Sequence, residues 1–156
     1  MLYYLVAICL IVIDQAVKWW VRGNIPLGES IPFLPHLMDL TYVRNTGAAF
    51  SSFSGLTWLL ALVSLAATVA LVLLLRRDFF PGPLGRLTLS LLLAGAAGNL
   101  IDRVFLGFVT DMFQTTFISF AVFNVADICV VVGGVLMVAY ALFFWDRDKE
   151  AGHDAP

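Results

Sequence analysis

Four runs of about twenty mostly apolar residues dominate this chain: Leu2–Val21, Leu56–Leu75, Leu84–Phe105 and Val122–Trp145. A helix rising about 1.5 Å per residue needs roughly 20 such residues to cross the hydrocarbon of a bilayer. Backbone N–H and C=O groups find no water in lipid, so each run must satisfy them internally, as a helix. Composition agrees, with 61% of the 156 residues hydrophobic and 13% charged. Ordinary globular chains hold roughly 45–50% and about 25%. A small water-soluble fold leaves too much surface exposed to hide that many apolar side chains. The expected fold class is an all-α membrane protein, a single integral domain over residues 1–156. The net charge of −2 is small and no basic stripe with interleaved aromatics is present, so nucleic acid is set aside as a partner.

The first run looks like a signal-peptide core. It lacks a basic leading region and a small-x-small cleavage site, and its helical pattern continues through Asp14 to Trp20, so it reads as a retained span. Val6-Ala7-Ile8 is a poor match to the small residues expected before a lipid-modified Cys9. Cys9 and Cys129 both lie in apolar runs and read as buried, space-filling thiols. Small residues in Leu93–Gly98 and at Gly133-Gly134 suit close helix approach.

Arg76, Arg77 and Arg86 flank the short second connector, and Arg147 and Lys149 lie in the tail, residues 146–156. By the positive-inside rule both termini are cytoplasmic and the tail reads as disordered. Loops 23–55 and 106–121 then face the other side. The first opens on the turn residues Gly23, Pro26, Gly28, Pro32 and Pro35, then alternates through Met38–Tyr42, which is strand-like. The second alternates more weakly around Phe117–Phe120. A small extracytoplasmic β-sheet would draw on both.

Three spans carry polar groups that lipid disfavours: Asp14 and Lys18; Asn99, Asp102 and Arg103; Asn124 and Asp127, with Asp111 in the preceding loop. An ionisable residue at membrane depth costs at least about 2.5–3.5 kcal/mol, which makes a functional role its default reading. The helices alternate in direction, so late positions in spans one and three meet early positions in span four. Asp14/Lys18 and Asn99/Arg103 are four apart and Asn124/Asp127 three apart, so each pair shares a helix face. Several readings stay open. Asp14 and Lys18 read as an interfacial ion pair, with Lys18 snorkelling to the headgroups, which is compatible with Asp14 also lining a site. Asp102 reads as a structural charge. Asn99 and Asn124 serve a site or act as interhelical glue.

The two histidines, His36 and His153, lie in a loop and the tail, so neither a His-based metal site nor a Ser–His pair is expected. Acids and amides remain. Two facing aspartates share a proton, and such a dyad can activate water and protonate a leaving amine. Asp111 and Asp127 are the natural pair. No metal or cofactor is implied, and spacing alone permits this chemistry without establishing it.

In order, the polar blocks are Asp14-Gln-Ala-Val-Lys18, Asn45-Thr-Gly47-Ala-Ala-Phe50, Gly98-Asn99-Leu-Ile-Asp102-Arg103, Val109-Thr-Asp111 and Phe123-Asn124-Val-Ala-Asp127. This series resembles lipoprotein signal peptidase (signal peptidase II), the bacterial aspartic membrane protease family. The resemblance implies four transmembrane helices with a small extracytoplasmic sheet and a short surface helix. It makes Asp111 and Asp127 the catalytic aspartates, with Asp14, Lys18, Asn45, Gly47, Asn99, Arg103 and Asn124 supporting or lining the site. It implies a diacylglyceryl-modified prolipoprotein as substrate, cut before the lipidated cysteine, in the bacterial inner membrane. A monomer surrounded by membrane lipids is expected. Ala48 and Ala49 leave room for a narrow peptide, which Phe50 and Phe53 would flank. A proton-coupled transporter is the main rival, but the polar residues gather at one depth and leave no track across the bilayer. The Gly-x-Gly-Asp signature of other intramembrane aspartic proteases is absent, since Phe108-Val109-Thr110 precedes Asp111.

Overall fold

A computed structural model describes residues 1–47 and 56–144. Its elements run α1 (Leu2–Asn24), β1 (Ser30–Leu34), β2 (Met38–Asn45), α2 (Thr57–Arg76), α3 (Gly82–Leu106), β3 (Val109–Thr115) and α4 (Val125–Phe143). All four helices are long and apolar enough to cross a membrane. Their outward faces, with Leu5, Val12, Leu62, Val69, Val131 and Val135 exposed, suit lipid rather than water.

The bundle is built around α3, which touches each of the other three helices. Leu89, Leu93 and Ala94 of α3 bury against Ala7 of α1, Leu75 of α2 and Cys129 of α4. Small residues set how near α4 comes. A Cβ on Gly95 would lie 2.5 Å from the Ala126 carbonyl oxygen and 3.1 Å from the Val130 nitrogen, both backbone atoms. Glycine is required there because the neighbouring backbone cannot yield. Gly133 meets Leu91 and Leu92, whereas Gly134 has nothing within 4 Å and plays no such part. Cys129 is buried as expected, but Cys9 is exposed on the outside of α1.

One end of the bundle carries a three-stranded antiparallel sheet in the order β1-β2-β3. β1 and β2 form a hairpin, with Ser30 opposite Thr41 and Leu34 opposite Met38. The turn-residue reading missed β1, because Pro32 argues against a strand. Pro32 sits on the sheet's edge strand, where a missing N–H is tolerated. β3 pairs with β2 from Met38↔Thr115 to Asn45↔Val109. It therefore lies at Val109–Thr115 rather than around Phe117–Phe120. Strand formation follows the available partner, and that is the free edge of β2. Gly107, in the left-handed region at φ 77°, caps α3 and turns the chain into this strand.

Helix ends differ from the apolar runs by a few residues. The first continues to Asn24, while α4 starts at Val125 because Asn124 caps it. No surface helix occurs among the described residues. Ala48, Ala49, Phe50, Phe53, Trp145 and the tail with Arg147, Lys149 and His153 lie outside the described residues.

Candidate active site

The N-terminus of α4 fixes one candidate aspartate. Asn124 is the N-cap in a reciprocal capping box: its Oδ1 accepts from the Asp127 backbone N–H at 2.9 Å. In return the Asn124 N–H donates to Asp127 Oδ2 at 3.1 Å. This arrangement satisfies two orphan donors and holds Asp127 on the first turn. The sheet fixes the other aspartate. Asp111 stands opposite Val43 in the β2–β3 ladder. Just beyond it, Phe113 donates to the Phe123 carbonyl at 2.8 Å and Phe123 returns a bond of 3.2 Å, so the strand is stitched to the start of α4.

Asp111 and Asp127 thereby line one cavity of about 520 Å³, together with Asn45, Asn99 and Arg103. Its remaining wall is apolar and includes Val109, Phe120, Phe123, Ile128 and Val131. Few polar groups in an apolar cleft are what small sites generally look like. Each polar group has a partner. Asn45 donates to Asp111 Oδ2 at 2.9 Å, and Asn124 donates to Asp111 Oδ1 at 2.7 Å. Asn99 donates to Asp127 Oδ1 at 2.8 Å. Asn124 thus touches both aspartates.

Asp111 is 2% exposed. Burial pushes its carboxyl up to about 6, the nearby Asp127 charge adds to this, and the bonds from Asn45 and Asn124 oppose it. A carboxyl at that value can hold a proton in mildly acidic surroundings and release it near neutrality. Arg103 lines the cavity and donates to Ser64 Oγ of α2 at 3.1 Å. Among the described residues no group of three His, Cys, Asp or Glu side chains could hold a metal ion.

The other residues singled out by the sequence stand behind the cavity. Asp14 accepts from the Ala126 N–H at 2.9 Å, anchoring the first turn of α4. Lys18 does not snorkel: it is 0% exposed and pairs with Asp14 at 2.9 Å. A helix packed on α3 at this point gives its ammonium buried acceptors, so it stays inside. Gly47 donates its N–H to Asn45 Oδ1 at 2.9 Å, which orients the Asn45 amide. Asp102 accepts from the Thr110 N–H at 2.8 Å, tying the end of α3 to β3. Sequence reasoning missed Gln15, which donates to Asp14 Oδ2, Gly98 O and Asp102 Oδ1 at 3.1–3.2 Å. It also missed Arg22, which donates to Thr110 Oγ1 at 3.0 Å. The only signal for Gln15 was its place beside Asp14 in a polar block.

Comparison with known proteins matches this geometry to a family. Residues 6–143 match the family model described as signal peptidase (SPase) II. The chain is 46% identical over 145 residues to the lipoprotein signal peptidase of Lactococcus lactis subsp. lactis (strain IL1403), covering 90% of each chain. It is 45% identical over 150 residues to that of Clostridioides difficile (strain 630), covering 96% of this chain and 100% of the relative. Among solved structures, a bacterial membrane enzyme determined by the in meso method at 2.3 Å resolution superposes with a TM-score of 0.85 at 30% identity. That likeness covers 98% of this chain and 91% of the other. With four apolar helices, two aspartates in one cleft and relatives of matching length, this chain belongs to the signal peptidase II family of membrane proteases.

Proposed function

We propose that this protein removes the signal peptide from diacylglyceryl-modified prolipoproteins, cutting before the lipidated cysteine, with Asp111 and Asp127 as an aspartate dyad. The observation that carries this reading is that both carboxylates line one cavity and one residue, Asn124, holds both, its side-chain NH₂ donating to Asp111 Oδ1 and its backbone N–H to Asp127 Oδ2. Asp127 takes a proton from water, whose oxygen attacks the scissile carbonyl carbon. Asp111 gives its proton to the leaving nitrogen as the C–N bond breaks. The dyad ends with the proton on the opposite member, and a proton transfer resets it. Arg103 and the amides of Asn45 and Asn99 face the same space and are placed to stabilise the oxyanion.

The substrate class is favoured by the relatives' shared name and by the cavity. Its wall includes Ile128, Val130, Val131 and Val132 of α4, of which Ile128 and the three valines are exposed on the lipid-facing side. A lipidated peptide could enter from the membrane plane without withdrawing its acyl chains from apolar surroundings. In the bacterial inner membrane, positive-inside orientation places both termini in the cytoplasm and the sheet and site near the extracytoplasmic face.

Asp111→Asn and Asp127→Asn should each lower cleavage of a lipidated precursor by about 10⁴-fold or more while the protein inserts and folds, the scale on which loss of one member of a catalytic unit acts. Purified protein carrying either change and retaining near-normal turnover would falsify the dyad. An unlipidated precursor should be cut poorly; equal cleavage of the two precursors sinks the selectivity.

A further inference from the structure

Lys18 is a cation with no solvent exposure in a bundle of few charges, and the dyad chemistry does not use it directly. Its Nζ meets Asp14 Oδ2 at 2.9 Å, Asn99 Oδ1 at 3.0 Å and Asp102 Oδ2 at 3.6 Å. Each of those partners acts on an element that carries an aspartate. Asp14 holds the Ala126 N–H, one residue before Asp127. Asn99 donates to Asp127 itself. Asp102 holds the Thr110 N–H, one residue before Asp111.

The contact with Asn99 also has a direction. A lysine ammonium donates and cannot accept. Only the oxygen end of the Asn99 amide can face it, which turns the Asn99 NH₂ toward Asp127. Asn124 donates to that same Asn99 oxygen at 3.2 Å. Its NH₂ is thereby held on the Asn99 and Asp111 side, leaving its oxygen for the Asp127 N–H. One donor-only group orders two amides so that their N–H bonds point at the carboxylates.

We infer that Lys18 is a positioning residue that sets the direction of the Asn99 and Asn124 amides and so holds the two aspartates in their working arrangement. This rests on the proposed dyad. A purely structural lysine would balance the charge of Asp14 and Asp102 and do nothing more. The two roles separate when the charge is removed while the donor is kept or lost.

The experiment compares K18M/D14N with K18Q/D14N in the full-length protein. Both pairs lose the same charges. Only glutamine retains an N–H that can meet Asn99. Thermal unfolding, kcat and KM are measured with a lipidated precursor. K18M/D14N should unfold cooperatively, keep KM within about 3-fold, and lose about 100-fold in kcat, the size of effect that a misplacement near 1 Å can produce. K18Q/D14N should have a similar unfolding midpoint and recover about tenfold in kcat, the scale of one hydrogen bond. Equal kcat in the two pairs overturns the inference, and so does unfolding of both, which would assign Lys18 to the scaffold. If Asp111→Asn or Asp127→Asn keeps turnover, it is the dyad that fails instead.

Discussion

Asp111 is where burial and chemistry meet most directly. Water is excluded from its carboxyl, so the charged form is disfavoured, and the value of about 6 lies above the ordinary aspartate range. With Asp111 holding the dyad's proton, raising the pH through that value removes the acid needed by the leaving nitrogen. The kcat/KM profile, which reports the free enzyme, should therefore fall on its alkaline side beginning near 6. Bound peptide and lipid exclude more water, so the corresponding limb in kcat should lie at higher pH. Asn45→Ala removes a bond that favours the ionised carboxylate and should move the kcat/KM limb upward. A limb that moves down in this variant, or activity that rises through the same range in the unsubstituted protein, contradicts Asp111 as the acid.

At the scale of elements, the contact between α3 and α4 decides whether Asp127 reaches the cavity. Gly95 lets the α3 backbone lie against the Ala126 carbonyl, and a methyl there meets that backbone oxygen and Val130 Cγ2, each at 2.5 Å. Gly95→Ala should destabilise by about 1–3 kcal/mol, the usual cost of overpacking, and lower kcat because the first turn of α4 moves. Gly134→Ala makes the same change in a helix with nothing within 4 Å. It should be neutral or gain up to about 1 kcal/mol from helix propensity. Thermal unfolding in detergent compares the two, and equal effects would remove the special status of the Gly95 contact. The polar faces of α1, α3 and α4 were legible because charged and amide residues recur there at helical spacing in apolar surroundings. β3 was harder to place. Val109–Thr115 pairs with a strand more than sixty residues away, and no local pattern encodes the ladder that supports it.

Over the whole molecule, polar and apolar ends are sorted. The sheet and cavity occupy one end, where α1 and α3 finish and α4 begins. At the other end Tyr140 Oη donates to the Pro81 carbonyl, joining α4 to the connector between α2 and α3, and Arg86 is paired with Asp78. Asp78 is held below its usual range, chiefly by that hydrogen bond from Arg86. The proposed orientation can be read by thiol labelling. With Cys9 and Cys129 replaced by alanine, Phe117→Cys should react with an impermeant reagent in intact spheroplasts, while Arg77→Cys should react only after lysis. Both positions are exposed, so the reverse pattern would invert the topology.

Composition and periodicity by themselves determined a four-helix membrane chain and the faces on which its polar residues lie, since lipid admits few alternatives for a backbone of this apolarity. The ordered series of polar blocks pointed further, to the family and to Asp111 and Asp127 as a pair. Only the tertiary structure decided how that pair is held. Asn124 bridges the aspartates by way of a capping box, and Lys18 is buried among Asp14, Asn99 and Asp102 instead of reaching the headgroups. The surroundings of Lys18 depend on hydrogen bonds between residues some 80 or more positions apart. Their donors and acceptors are visible along the chain, but packing around α3 chooses the partners.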